Sequence, residues 1–254
     1  MQLDEGKAYI QLIIEVRENY KNNPRDNGQV RLEWCDRDTD ENLCQEINLW
    51  TYWQGWKWAE RKSEIKFLVL GQDWGCPSET MDGGAIANVR DMNRGIDVMY
   101  LDGCNMETRE STTDKNLTYL FEKIGYKGID KRRYPDLFFT NFNLGYRTGN
   151  NSGGMTADLL ESDGKYIKEL IDILKPKNII CLGELVFNAT YKLLLGGNLK
   201  YSGYNNLVSN SKGYKYSGTG YEGKIYPVFH PGFYGVNNRN GGLEQHVKDW
   251  KKMI

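Results

Sequence analysis

The sequence predicts an α/β protein: a three-layer α/β/α sandwich around a central four-stranded parallel sheet, with an N-terminal helical extension. Three observations predict it. Four short apolar runs, at 65–70, 137–140, 178–182 and 225–229, read as strands buried on both faces. Helical stretches separate them, and alternating strands and helices imply parallel strands joined by right-handed crossovers. Neither a G-x-G-x-x-G nor a Walker loop follows the first strand, so a doubly wound nucleotide-binding domain, the competing reading, lacks its phosphate cradle.

From the N-terminus, residues 7–20 carry Tyr9, Ile10, Ile13, Ile14 and Val16 at helical rather than alternating spacing. Asn22 to Gly28 is a loop around Pro24. Trp50, Trp53, Trp56 and Trp58 follow, interleaved with Gln54, Lys57 and Arg61. Indoles so spaced pack a helix against a core more often than they stack on bases. Residues 1–63 therefore read as a helical lid on the main sheet, and 1–254 as a single domain. Further helices are expected at 114–124, at 157–174 (stopped before Pro176), at 184–195 (stopped by Gly196 and Gly197) and at 242–252.

Two long segments fit no regular element. Residues 75–112 are rich in Gly, Asn, Asp and Met, and loops of such length are usually functional or disordered. Residues 196–223 hold seven glycines and five tyrosines, with Lys200, Lys212 and Lys215 against Glu222. They suit a stacking surface for unpaired bases or, in the plainer reading, a β-hairpin.

Composition sets the bounds. A chain of 254 residues supports one sizeable domain that buries roughly 70–75% of its unfolded surface. No apolar run approaches the roughly 20 residues that span a bilayer, so no membrane partner is expected. The first residues lack the basic and apolar parts of a signal peptide, which points to a cytoplasmic protein; a monomer is expected. The net charge of −1 does not announce a nucleic-acid binder, although phosphate contacts need only local cations. Lys127, Lys131, Arg132 and Arg133 form the densest basic run, with Lys248, Lys251 and Lys252 at the end; such runs are solvated faces or phosphate contacts. Cysteines at 35, 44, 76, 104 and 181 are odd in number and lack close pairs, which argues against a disulfide framework.

The chemistry gathers at strand ends. The run at 65–70 stops at Gly71, and Asp73 stands at the carboxyl edge of the sheet, where open α/β sheets bind ligands. Its plainer role is a helix N-cap. The second strand ends on Asn141 and the fourth on His230-Pro231, one of only two histidines. Three strands thus deliver an acid, an amide and an imidazole to one edge.

These residues resemble the uracil-DNA glycosylase superfamily. The resemblance rests on Gly71-Gln72-Asp73, on Asn141-x-x-Leu144-x-x-Arg147 and on His230-Pro231, in the family's order, and runs from about Ile65 to the C-terminus. It implies an α/β/α fold and cleavage of an N-glycosidic bond in DNA, with Asp73 and His230 as catalytic residues. Gly71, Gln72, Trp74 and Asn141 would bind the base. Phe233, Tyr234, Asn238 and Arg239 would contact DNA, with one aromatic wedging the gap left by the extruded nucleotide. No cofactor or metal is implied: one branch carries an iron–sulfur cluster, but no C-x-x-C pair occurs here.

The chain departs from the family pattern in the pocket. Trp74-Gly75 stands where the best-known branch has Pro-Tyr, and that tyrosine excludes thymine's methyl group. No aromatic occurs between Trp74 and Tyr100 to serve as the stacking phenylalanine, and Gly232 replaces a serine. Uracil is the default substrate and a bulkier modified pyrimidine its competitor. A non-catalytic lesion binder with the same fold is the alternative.

Overall fold

The computed structural model describes residues 4–33, 54–55, 58, 63–73, 112–147 and 153–254, and the statements below concern these. Helix α1, Glu5–Asn22, starts where the Asp4 carboxylate accepts the Gly6 N–H. Its buried stripe is Tyr9, Leu12, Ile13, Val16 and Tyr20. Ile10 and Ile14, expected inside, are exposed, because Leu12 and Tyr20 complete the inward face instead.

Strands β1 (Arg25–Asp26) and β2 (Arg31–Glu33) form a small hairpin. Next come β3 (Phe67–Gly71), α2 (Thr112–Lys123), β4 (Leu137–Asn141) and β5 (Tyr146–Arg147). Strand β5 pairs antiparallel with β2, which ties the N-terminal hairpin to the chain just beyond β4. Then follow α3 (Ala157–Glu161), α4 (Gly164–Leu174), β6 (Asn178–Leu182), α5 (Glu184–Leu195) and α6 (Tyr204–Asn210). The chain ends with β7 (Tyr214–Gly218), β8 (Tyr221–Val228), α7 (Phe233–Asn238) and α8 (Gly242–Trp250).

The main sheet runs β4-β3-β6-β8-β7. The expected strands are its first four and are mutually parallel. The sheet is nevertheless mixed and five-stranded, which corrects the expectation of four. Strand β8 starts four residues before the expected run, the Gly218-Thr219-Gly220 turn folds the chain back, and β7 pairs antiparallel with it. The hairpin reading of 196–223 thus holds for its second half, while 204–210 is helical. Its tyrosines are packed rather than open for stacking: the Tyr216 hydroxyl donates to the Pro176 carbonyl at 2.7 Å, and Tyr204 donates to that of Val228 at 3.0 Å.

Alternation along the strands builds a core on each face. Phe67 and Val69 pack with Leu117, Leu120 and Phe121 of α2 and with Trp250 of α8. Leu68 and Leu70 pack with residues of α1, α4 and α5 on the other face. The helix expected over 157–174 is two helices, because Asp163 is turned inward between them. That carboxylate is fully buried and accepts from the Tyr20 hydroxyl, from Arg25 at 3.2 Å, from Asn143 Nδ2 at 3.2 Å and from the Leu144 N–H at 2.9 Å.

The described parts of the N-terminal segment pack on the main sheet. Gln54 is buried at the sheet edge, where its amide donates to the carbonyls of Ile129 (2.8 Å) and Arg132 (2.7 Å), and its own carbonyl accepts the Phe139 N–H of β4. The outer strand is thereby protected from adventitious pairing. Trp58 is buried edge-on against Tyr9, in line with core packing. Trp50, Trp53, Trp56 and the segment 75–111 lie outside the described residues. Among the described residues, no helix is long and apolar enough to cross a membrane.

Candidate active site at the carboxyl edge of the sheet

The strand register sets the site. Gly71 pairs with Asn141, Leu70 with Cys181, and Cys181 with Pro227. Asp73 lies three residues beyond Leu70, and His230 three beyond Pro227, so acid and imidazole rise to the same height past the ladder. Only β6 separates their strands, which sets their backbones about 10 Å apart, or two strand spacings. Between them Gly183 follows the end of β6, at φ +104°, where a Cβ would meet nothing within 4 Å. The gap is open. Asn141 closes one side: a Cβ on Gly71 would lie 2.0 Å from its Oδ1, so glycine at 71 is what allows the amide to rest there.

The residues that Asp73 could cap as a helix lie outside the described residues, but its ion-pair partner is clear. Both of its oxygens face the guanidinium of Arg147, with Nε donating to Oδ1 at 2.8 Å and Nη2 to Oδ2 at 2.9 Å. Gln72 Nε2 adds a third donor to Oδ2 at 2.9 Å. Side-chain exposure is 7% for the acid and 4% for the arginine, so this is a buried, bidentate ion pair. The backbone there is also fixed: the Phe142 N–H donates to the Gly71 carbonyl and the Asn143 N–H to that of Gln72.

His230 is held as a neutral donor. The Gly232 N–H donates to its Nδ1 at 3.0 Å, which assigns the proton of the neutral ring to Nε2. Asn116 of α2 donates to the Pro231 carbonyl at 2.7 Å and pins the loop. Burial lowers the imidazole pKa, the nearby His246 lowers it further, and the negative charge of Asp73 opposes both. His230 is nevertheless exposed, so solvent weakens the burial effect. His246 is also shifted down, again mainly by burial.

The sign of the pH effect follows. Unfolded histidine takes up its proton near 6.5, while the folded forms of His230 and His246 do so only at lower pH. Below 6.5 the unfolded state binds more protons, so stability is lost as pH falls through this window and is flat above it from this source. Urea midpoints at about pH 7.5 and about pH 5.5 should show the loss, and His246→Gln should reduce it.

Two glycines shape the histidine loop. A Cβ on Gly232 would lie 2.9 Å from His230 Nδ1, and one on Gly235 would lie 1.9 Å from the His230 carbonyl oxygen. The second contact is with backbone and cannot swing aside. Gly235→Ala is therefore expected to cost about 1–3 kcal/mol in urea unfolding and to displace the imidazole.

Beside the histidine, Phe233 and Tyr234 open α7 with 62% and 79% of their surface exposed, edge-on to each other. Large aromatics this bare are free to meet a partner. Asn238 is exposed, but its carbonyl accepts from Asn205. Arg239 corrects an expectation. It is 3% exposed, forks onto Asp249 at 2.7 and 3.0 Å, and also donates to Asn205 and Ser209, so it holds α7 to the body rather than facing a phosphate. The basic run Lys127–Arg133 precedes β4, at the amino edge of the sheet and away from the site. Trp74 lies outside the described residues.

Sequence reasoning placed Arg147 in a motif but missed its partner, and it missed Asp163 altogether. Ser162-Asp163-Gly164 is a breaker run inside an otherwise periodic helix, which is the signal that could have found it. No protein-family model matches this chain, and no curated protein matches it at a significant level.

Proposed function

We propose that this protein is a DNA glycosylase that hydrolyses the N-glycosidic bond of uracil or a related modified base and leaves an abasic site. The observation that carries the reading is that Asp73 and His230 stand equally far past the ladder, on the two strands that flank β6, with Asn141 alongside. Breaking that bond builds positive charge on the sugar and negative charge on the departing base. The Asp73 carboxylate suits the first, steadying the cation and an attacking water. The Nε2–H of neutral His230 suits the second, as a preorganised donor to the base oxygen. Asn141 both donates and accepts, as reading a pyrimidine edge requires.

A base must leave the stack before such a site can reach it, at a cost of a few kcal/mol. Phe233 and Tyr234, bare and adjacent to the histidine, suit a wedge that holds the gap. Gly71 and Gln72 would form the wall beside the sugar, and DNA is the partner. The test is a base-release screen by mass spectrometry over oligonucleotides carrying uracil and bulkier modified pyrimidines. Release of one base with an abasic product supports the reading, and no release from any of them rejects it.

A second reading, a lesion binder without turnover, draws on the Asp73–Arg147 pair, which engages both oxygens that would serve the cation. Tight retention of a uracil-containing oligonucleotide, with no alkali-labile product, would favour it.

A further inference from the structure

We infer that Arg147 is a positioning residue for Asp73, and that the N-terminal segment is the brace that sets it. The inference rests on Asp73 acting as proposed above. A carboxylate two residues past a strand end has rotamer freedom of its own. The planar fork of a guanidinium removes that freedom, because it meets both oxygens in one plane. Arg147 does this with Nε and Nη2, while Nη1 donates to the Gly153 carbonyl at 2.6 Å. The arginine is 4% exposed, so it is no surface cation waiting for a phosphate.

What fixes the arginine is supplied by the N-terminal residues. Leu32 of β2 is the register partner of Arg147, and Glu33 that of Tyr146. Just before them, Gly145 lies so near α1 that a Cβ there would sit 2.4 Å from the Tyr20 ring and 3.0 Å from Leu32 Cβ. Tyr20 in turn donates to Asp163, which accepts the Leu144 N–H and the Asn143 amide of the same loop. Helix α1, strand β2 and Asp163 therefore hold residues 143–147 between them. The far end of that brace is the acid. This gives residues 4–33 a catalytic purpose that no contact with substrate requires.

The test compares single-turnover base release from a uracil-containing single-stranded oligonucleotide by wild type, R147Q, R147K, R147A, D73N and the double variant D73N/R147Q. R147Q and R147K should each be about 10²-fold slower at saturation with little change in half-saturating enzyme concentration, since misplacement rather than binding is at fault. Lysine should not substitute, because it lacks the fork. D73N/R147Q should be no slower than D73N, because a residue that acts through the acid has nothing left to act on. Millimolar guanidinium should recover part of the R147A rate without raising its melting temperature, which a purely structural role would not allow. The inference is overturned if R147Q or R147K keeps the wild-type rate while D73N is slow, or if the R147Q loss adds in full to that of D73N; the glycosylase reading then stands. A wild type that releases no base from any substrate overturns both.

Discussion

Asp73→Asn and His230→Ala are each expected to slow base release at least ~10²-fold in single-turnover assays, with His230→Ala falling in the range ~10²–10³ typical of losing one oxyanion donor. The two losses have different causes. His230→Ala removes the Nε2–H while leaving the loop held by Asn116 and by the fit of Gly235, so the fold should survive. Asp73→Asn keeps the shape but removes the charge. It also leaves Arg147 as a cation at 4% exposure with no opposite charge from Asp73, and breaking a buried pair costs about 3–5 kcal/mol. The rate should accordingly be read on protein whose urea midpoint confirms that it is folded at the assay temperature. Wild-type rates in either variant would remove that residue from the chemistry.

Asp163→Ala is expected to be the most damaging change to stability, at about 3–5 kcal/mol, measured as the shift in urea unfolding free energy. The carboxylate is fully buried and serves the Tyr20 hydroxyl, the Arg25 guanidinium, the Asn143 amide and the Leu144 N–H. Alanine would remove the acceptor that all four share and the charge that faces Arg25, although Arg25 keeps Asn19 and the Asn143 amide keeps the carbonyls of Leu159 and Leu160. Burial first and then the neighbouring Asp163 charge hold the Tyr20 hydroxyl well above its usual pKa, so it stays protonated and donates throughout the working pH range. Tyr20→Phe removes one donor and should cost much less, about 1 kcal/mol. A loss below about 1 kcal/mol in Asp163→Ala would mean that the four donors find other partners.

Much of this architecture was legible in the sequence for a physical reason. Strands buried on both faces must be continuously apolar, so β3, β4 and β6 announce themselves, and helix-stop signals such as Pro176 and Gly196 fall where the chain turns. At Lys175 the backbone enters the left-handed region, φ 47°, to end α4 before that proline. Edge strand β7 was harder. Tyr214, Lys215, Tyr216, Ser217 and Gly218 are too polar to read as core, and their pairing is decided by the glycine turn to β8. Polar hubs were hidden for a related reason. Local pattern shows that Asp163 and Gln54 are polar, but burial with satisfied partners is a property of the assembled fold. Strand-end logic put Asp73, Asn141 and His230 at the carboxyl edge of the sheet, where the structure has them, since each follows an apolar run. Arg239 failed because Asn237-Asn238-Arg239 looks solvated in sequence, while its partner Asp249 lies ten residues on, on the next helix.

The most direct measurement is a crystal structure of the protein with a single-stranded oligonucleotide carrying 2′-fluoro-2′-deoxyuridine, a sugar that resists cleavage. The account predicts the base lodged over Gly183, its edge hydrogen-bonded to Asn141, its oxygen facing His230 Nε2 and the Asp73 carboxylate beneath the anomeric carbon. An oligonucleotide bound elsewhere, or a base seated in the gap with the imidazole turned away from it, would contradict it.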